Sequence, residues 1–244
     1  MRILLLVGGA LLMSLPSPSV ARTPDCSVPA EIVEDDAQLP ELAQQLRQKH
    51  PITIVAIGGA STAGAASGNA AEYAYPHRLQ DVLRRRYPEV SITVLNKGVS
   101  RETTQEMVDR FPRDVYPLSP TLVIWETGTF DAARSVDVDV FAGALEAGLA
   151  DLREHKLETM LVNMQYSRST ASVINFEPYL DAMQRTADVD GVYVLRRFEM
   201  MKYWAENGVF NFADVPVERR SQLAVEVYEC FAERVADAIA YATR

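Results

Sequence analysis

From Pro51 onward the chain alternates short runs of β-branched and aliphatic residues with longer amphipathic stretches. The short runs predict strands at Ile52–Ile57, Ser91–Leu95, Leu122–Trp125, Thr159–Asn163 and Val192–Leu195. Between and after them, helical periodicity predicts helices at Pro76–Arg86, Glu102–Arg110, Val138–Glu154, Glu177–Ala187, Phe198–Asn207 and Arg219–Tyr241. Strands that alternate with helices in this way build a parallel sheet covered on both faces. In the last helix Leu223, Val227, Phe231, Val235 and Ile239 recur every fourth residue and form one apolar stripe, which reads as core. The Ala, Gly and Ser stretch from Ala60 to Ala71 is too short to separate domains and reads as a surface loop. A single domain over residues 51–244, preceded by an extension and first helix over 22–50, accounts for the pattern.

The first residues follow a different pattern. Arg2 is followed by an unbroken apolar run from Ile3 to Met13, then Pro16, Pro18 and the small-residue end Ser19-Val20-Ala21. That is the layout of a secretory signal peptide over residues 1–21, cleaved after Ala21, and the run is well short of the roughly 20 residues needed to cross a bilayer. The expectation is a periplasmic or secreted protein with no membrane span in the mature chain. Thr23-Pro24-Asp25 before Cys26 lacks the small and aliphatic residues of a lipid-anchoring site.

Charge narrows the class of partner. The formal net charge is −9, and the predicted signal removes one cation and no acid, so the mature chain is more acidic still. Nucleic acid is thereby excluded as a partner, because phosphate binding needs clustered Lys and Arg. Arg84-Arg85-Arg86 is the one basic run and reads as a solvated helix end, where cations complement the helix dipole. No cluster of His, Cys and acids has metal-ligand spacing, and no glycine pattern fits a nucleotide loop, so neither metal nor cofactor is expected. Cys26 and Cys230 are expected to pair in an oxidising compartment and tie the N-terminal segment to the last helix.

Ligands of open parallel sheets bind beyond the carboxyl ends of the strands, so the loops there carry the candidate chemistry. Three of them resemble sequence blocks of the SGNH/GDSL hydrolases. Ile57-Gly58-Gly59-Ala60-Ser61-Thr62-Ala63-Gly64 is similar to the block G-D-S-x-T-x-G; Leu95-Asn96-Lys97-Gly98 resembles the block with the oxyanion-hole glycine; and Thr127-Gly128-Thr129-Phe130-Asp131 resembles the block ending G-x-N-D. The resemblance implies a three-layer α/β/α sandwich around a five-stranded parallel sheet, the flavodoxin-like architecture of that superfamily.

It also implies a serine nucleophile, an Asp-x-x-His pair before the last helix, and oxyanion donors from backbone, glycine and asparagine. Those parts are chemically required, since a hydroxyl attacks poorly without a base and the developing charge needs aimed donors. In the register set by Gly64 the nucleophile position holds Ala60, with Ser61 as a polar turn residue and fallback nucleophile in a register shifted by one. Phe130 stands at the asparagine position. Asp214-Val215-Pro216-Val217 keeps the acid and places Val217 at the histidine, while a second register brings in Arg219. The three histidines, His50, His77 and His155, all lie earlier in the chain and read as surface or helix-end residues. Glu126 and Asp131 lie near the predicted site and read as loop or helix-capping acids.

The expectation is therefore an exported hydrolase-like protein without competent catalysis, binding an envelope carbohydrate, an acylated ligand or a partner protein through Ser61, Gly98, Phe130 and Arg219. An active esterase using Ser61 with an unrecognised base, and a structural subunit, are the two alternatives.

Overall fold

The computed structural model describes residues 24–213 and 215–244; the predicted signal peptide and Asp214 lie outside the described residues. Five parallel strands, β1 (Ile52–Gly58), β2 (Ile92–Gly98), β3 (Leu122–Glu126), β4 (Glu158–Val162) and β5 (Tyr193–Leu195), form one sheet in the order β2-β1-β3-β4-β5. The longer helices are α1 (Pro40–Gln48), α2 (Tyr75–Arg86), α3 (Thr104–Asp109), α4 (Val138–Glu154), α5 (Glu177–Asp190), α6 (Arg197–Glu206) and α7 (Val217–Ala242). The α/β/α sandwich expected from the sequence is thus the fold.

The period of two along each strand divides the core into two layers. Ile52, Ile54 and Ala56 of β1 and Leu122 and Ile124 of β3 pack beneath α1, α2, α6 and α7, with Leu42, Leu79, Trp204 and Phe231. Val55, Ile57, Val123 and Trp125 point the other way, against Met107, Phe141, Leu145 and Met183 of α3, α4 and α5. Burial on both faces is why these strands read as continuous apolar runs rather than as alternating ones. Glu126 follows Trp125 and so falls on the α7 side of the sheet, as a carboxylate on a strand otherwise wholly apolar.

The apolar stripe of α7 is core from Val227 to Ile239, whereas Leu223 is only partly buried. Arg85 and Arg86 are not merely solvated: they pair with Glu233, and Arg86 also with Asp237, fastening α2 to α7. The N-terminal extension is tied down at Cys26, which forms a disulfide with Cys230 of α7. The Cys26 carbonyl also accepts hydrogen bonds from Trp204 Nε1 and Arg234 Nη1.

Candidate active site at the carboxyl ends of the strands

The loop after β1 closes through backbone bonds from Ala63 N–H to the Gly59 carbonyl, Gly64 N–H to the Ser61 carbonyl and Ala65 N–H to the Ala60 carbonyl. Gly64 adopts a φ of +73°, and a Cβ there would lie 2.6 Å from the Ala74 Cβ, so only glycine fits. This turn leaves Ala60 exposed and turns Ser61 inward, at 4% exposure.

Ser61 is therefore not the surface turn residue that its neighbours suggest. Its hydroxyl lies 2.5 and 2.7 Å from the two carboxylate oxygens of Glu126 and receives a hydrogen bond from Arg197 Nη1 at 2.6 Å. Arg197 also pairs directly with Glu126 at 2.9 Å, and Thr62 Oγ1 donates to the same carboxylate. Both charged residues are buried, at 3% and 1% exposure, and the guanidinium stacks over the Phe231 ring, 4.6 Å from its centroid. Glu126 is thus the buried anion of a four-residue network, not a solvated loop acid. Around the network, burial and then the Glu126 charge push the Tyr75 phenol well above its ordinary range, and burial raises that of Tyr228.

Sequence reasoning missed Arg197 altogether, because it lies outside the three motif blocks. The signal was present as an acid and a base at the ends of two buried strands, β3 and β5, where an unpaired charge would be prohibitively costly.

Asp131 is buried too, but it caps a helix, as its position suggests. Its oxygens accept from the Thr104 backbone N–H at 3.1 and 3.0 Å and from the Thr104 hydroxyl at 3.0 Å, at the start of α3. Desolvation raises its pKa above the ordinary 3.8, with those Thr104 donors opposing the rise.

The remaining expected site residues separate into two groups. Ala60, Ser61 and Phe130 come together with Thr127, Thr129 and Arg101 around a cavity of about 160 Å³. That is room for an acetyl-sized group or a few waters. Arg134 lies over the Phe130 ring, 5.6 Å from its centroid.

Gly98 abuts this loop rather than the cavity. A Cβ there would sit 2.1 Å from the Ala63 nitrogen, and its own N–H donates to Asn96 Oδ1 at 2.9 Å. Val217 opens α7 at 72% exposure and Arg219 is also exposed; neither lines this cavity nor the larger one beside it. Val217 thus lies away from both cavities, and it is Arg220, one residue after Arg219, that reaches the larger one.

No histidine borders either cavity. His155 stacks on Tyr116 at 3.7 Å beside the amino end of β4, and His50 precedes β1 on that same side of the sheet. His77 lies in the first turn of α2, half-buried. Among the described residues no group of His, Cys, Asp and Glu could hold a metal ion.

A five-stranded parallel α/β/α sandwich with its loops gathered over the strand ends defines a hydrolase-type scaffold of the SGNH/GDSL kind. The chain belongs to the Non-GDSL lipase-like family, whose model matches residues 25–244. Among solved structures, one assigned to the G-D-S-L lipolytic proteins, from Desulfitobacterium hafniense, is 22% identical, covers 73% of this chain and 99% of its own, and superposes with a TM-score of 0.55. An acetyl xylan esterase is 16% identical over 77% of this chain and 100% of its own, with a TM-score of 0.62. A two-domain esterase active on acetylated mannans is 15% identical over 84% of this chain, with a TM-score of 0.64, and the match spans 54% of that protein. At these identities the likeness is one of fold. No curated protein matches the sequence.

Proposed function

We propose that this chain is an exported, catalytically silent member of its family that uses the strand-end region to bind an envelope glycan, an acylated ligand or a partner protein. The observation that carries the reading is the state of Ser61. Its proton is directed to Glu126, a lone pair of its oxygen is engaged by Arg197, and it lies at the buried end of an ion pair. A nucleophile needs an open path to the substrate carbonyl and a base beside it; here the hydroxyl is turned inward, and the carboxylate beside it is already engaged by the Arg197 guanidinium and the Thr62 hydroxyl. The exposed position facing the cavity is Ala60, which has no nucleophile, and Phe130 supplies no oxyanion donor. Loss of one such donor alone lowers a rate by about 10²- to 10³-fold.

One observation favours a second reading, an active esterase with a serine–carboxylate pair: the 2.5 Å contact between Ser61 Oγ and Glu126. The two readings part on a single experiment. A fluorophosphonate probe and short activated esters are offered to the mature protein and to Ser61→Ala. The silent reading expects no stoichiometric label and no turnover that Ser61→Ala removes; covalent labelling of Ser61 overturns it. A purely structural subunit is disfavoured by the open cavities beside the network.

A further inference from the structure

Next to the Ser61 centre lies a larger cavity, about 720 Å³, between the loop after β4, α6 and the first turns of α7. Its volume falls within the roughly 300–1,000 Å³ of small-molecule sites. One wall is apolar, made by Met201, Phe212, Leu223, Ala224 and Val227. Leu223 belongs to the α7 stripe, and it is here that the stripe leaves the core and faces a cavity. The loop after β4 carries Ser167, Ser169, Ser172 and the exposed Arg168, and Arg220, also exposed, stands one turn before Leu223 and Ala224 on α7.

The charge at this cavity runs against the whole molecule. In a chain with 33 acids and 24 Lys and Arg, three arginines line this cavity and no acid does, among the described residues. Arg168 and Arg220 have no ion-pair partner among the described residues; Arg220 Nε donates only to the Val215 carbonyl. The third arginine is Arg197, at 1% exposure, whose Nε has no hydrogen-bond partner although Nη1 is engaged by Ser61 and Glu126.

We propose that this cavity binds an aliphatic carboxylate, with the hydrocarbon against the apolar wall and the carboxylate held by Arg168 and Arg220. Guanidinium groups pair with carboxylates in planar, two-pronged geometry, and an apolar wall in the same cavity selects an anion with a tail over a free inorganic ion. The site adjoins the small cavity at Ala60 and Phe130, the two sharing Gln165. The proposal rests on the acylated-ligand reading above but not on whether Ser61 is silent, since Arg168 and Arg220 take no part in the Ser61 network.

The test is calorimetric titration of the mature protein with decanoate, decanol and decyltrimethylammonium. Decanoate binds at one site per chain, and decanol and the cation bind at least about tenfold more weakly, a difference of about 1.4 kcal/mol. Arg168→Gln/Arg220→Gln, both at exposed positions, weakens decanoate about tenfold or more and leaves decanol unmoved. Ala224→Trp, which fills the apolar wall, abolishes binding of both; far-ultraviolet circular dichroism checks its fold, and the double arginine variant decides the matter alone if Trp is not tolerated. No binding of decanoate, equal binding of decanoate and decanol, or indifference to the arginine pair overturns the proposal. None of these results bears on fluorophosphonate labelling of Ser61, so the two readings fail separately.

Discussion

Arg197 Nη1 approaches the Ser61 hydroxyl to 2.6 Å and the Glu126 carboxylate to 2.9 Å, so one buried guanidinium nitrogen joins the loop after β1 to the end of β3. Removing one charge from such a pair leaves the other buried and uncompensated, at about 3–5 kcal/mol, whereas replacing both by apolar groups is near neutral. Glu126→Gln and Arg197→Met should each lower the stability measured by urea unfolding by several kcal/mol. Glu126→Leu/Arg197→Met should lose less than either single variant. A double variant whose loss equals the sum of the singles would show that the two residues do not act as a pair.

Gly98→Ala tests the seam between the loops after β1 and β2. A Cβ at 2.1 Å from a backbone nitrogen cannot be relieved by a side-chain rotamer change. Overpacking of this kind costs about 1–3 kcal/mol. The expected outcome is a lower unfolding midpoint at unchanged urea dependence. Wild-type stability would mean that the loop after β1 can retreat from β2.

The disulfide and the two bonds to the Cys26 carbonyl hold the N-terminal segment on α6 and α7. Closing a separation of 204 residues is worth up to about 5 kcal/mol by chain entropy, and losses of about 2–5 kcal/mol are usual. Cys26→Ala/Cys230→Ala should fall in that range by urea unfolding and should match the wild type under reductant. A double variant as stable as the oxidised protein would show that the carbonyl contacts of Trp204 and Arg234 suffice.

Sheet and helices were legible because β1 and β3 are short apolar runs buried on both faces and α4 and α7 carry apolar stripes. Val138–Glu154 coincides with its prediction, and α7 begins two residues earlier than predicted, at Val217. Helix α1 was placed only as a first helix within 22–50, since its nine residues bury little beyond Leu42 and Ala43. The site was half legible. Motif spacing located the loops and brought Ala60, Ser61 and Phe130 to one cavity, since local chain geometry sets which loop a residue is on. Spacing does not reveal which way a side chain turns. Ser61 points into the core because a carboxylate from β3 and a guanidinium from α6 wait there, 65 and 136 residues away in sequence. The same limit applies at the start of α7, where a shift of one residue decides that Arg220 rather than Arg219 reaches the large cavity.

Asp131 offers a pH-dependent test of the cap on α3. Burial is the largest influence on it and lifts its pKa above the ordinary 3.8; the Thr104 N–H and hydroxyl oppose this, and the charge of Glu106 adds to it. A raised folded-state pKa means that the folded protein holds this proton more tightly than the unfolded chain. Between the ordinary value and the folded value, the folded state binds more protons, so this contribution falls as pH rises through that window. Above the folded pKa the cost is complete; below the ordinary value it vanishes. Other carboxylates titrate in the same range, Glu158 in the same direction and Asp114 in the opposite one, so the wild-type curve alone is not diagnostic. The informative quantity is the stability of Asp131→Asn minus that of the wild type, measured by urea unfolding from about pH 4 to 7. It should increase with pH through the window and then level off. A difference that stays constant, or that decreases with pH, would mean that the Thr104 donors outweigh burial and hold the carboxyl at or below its ordinary value.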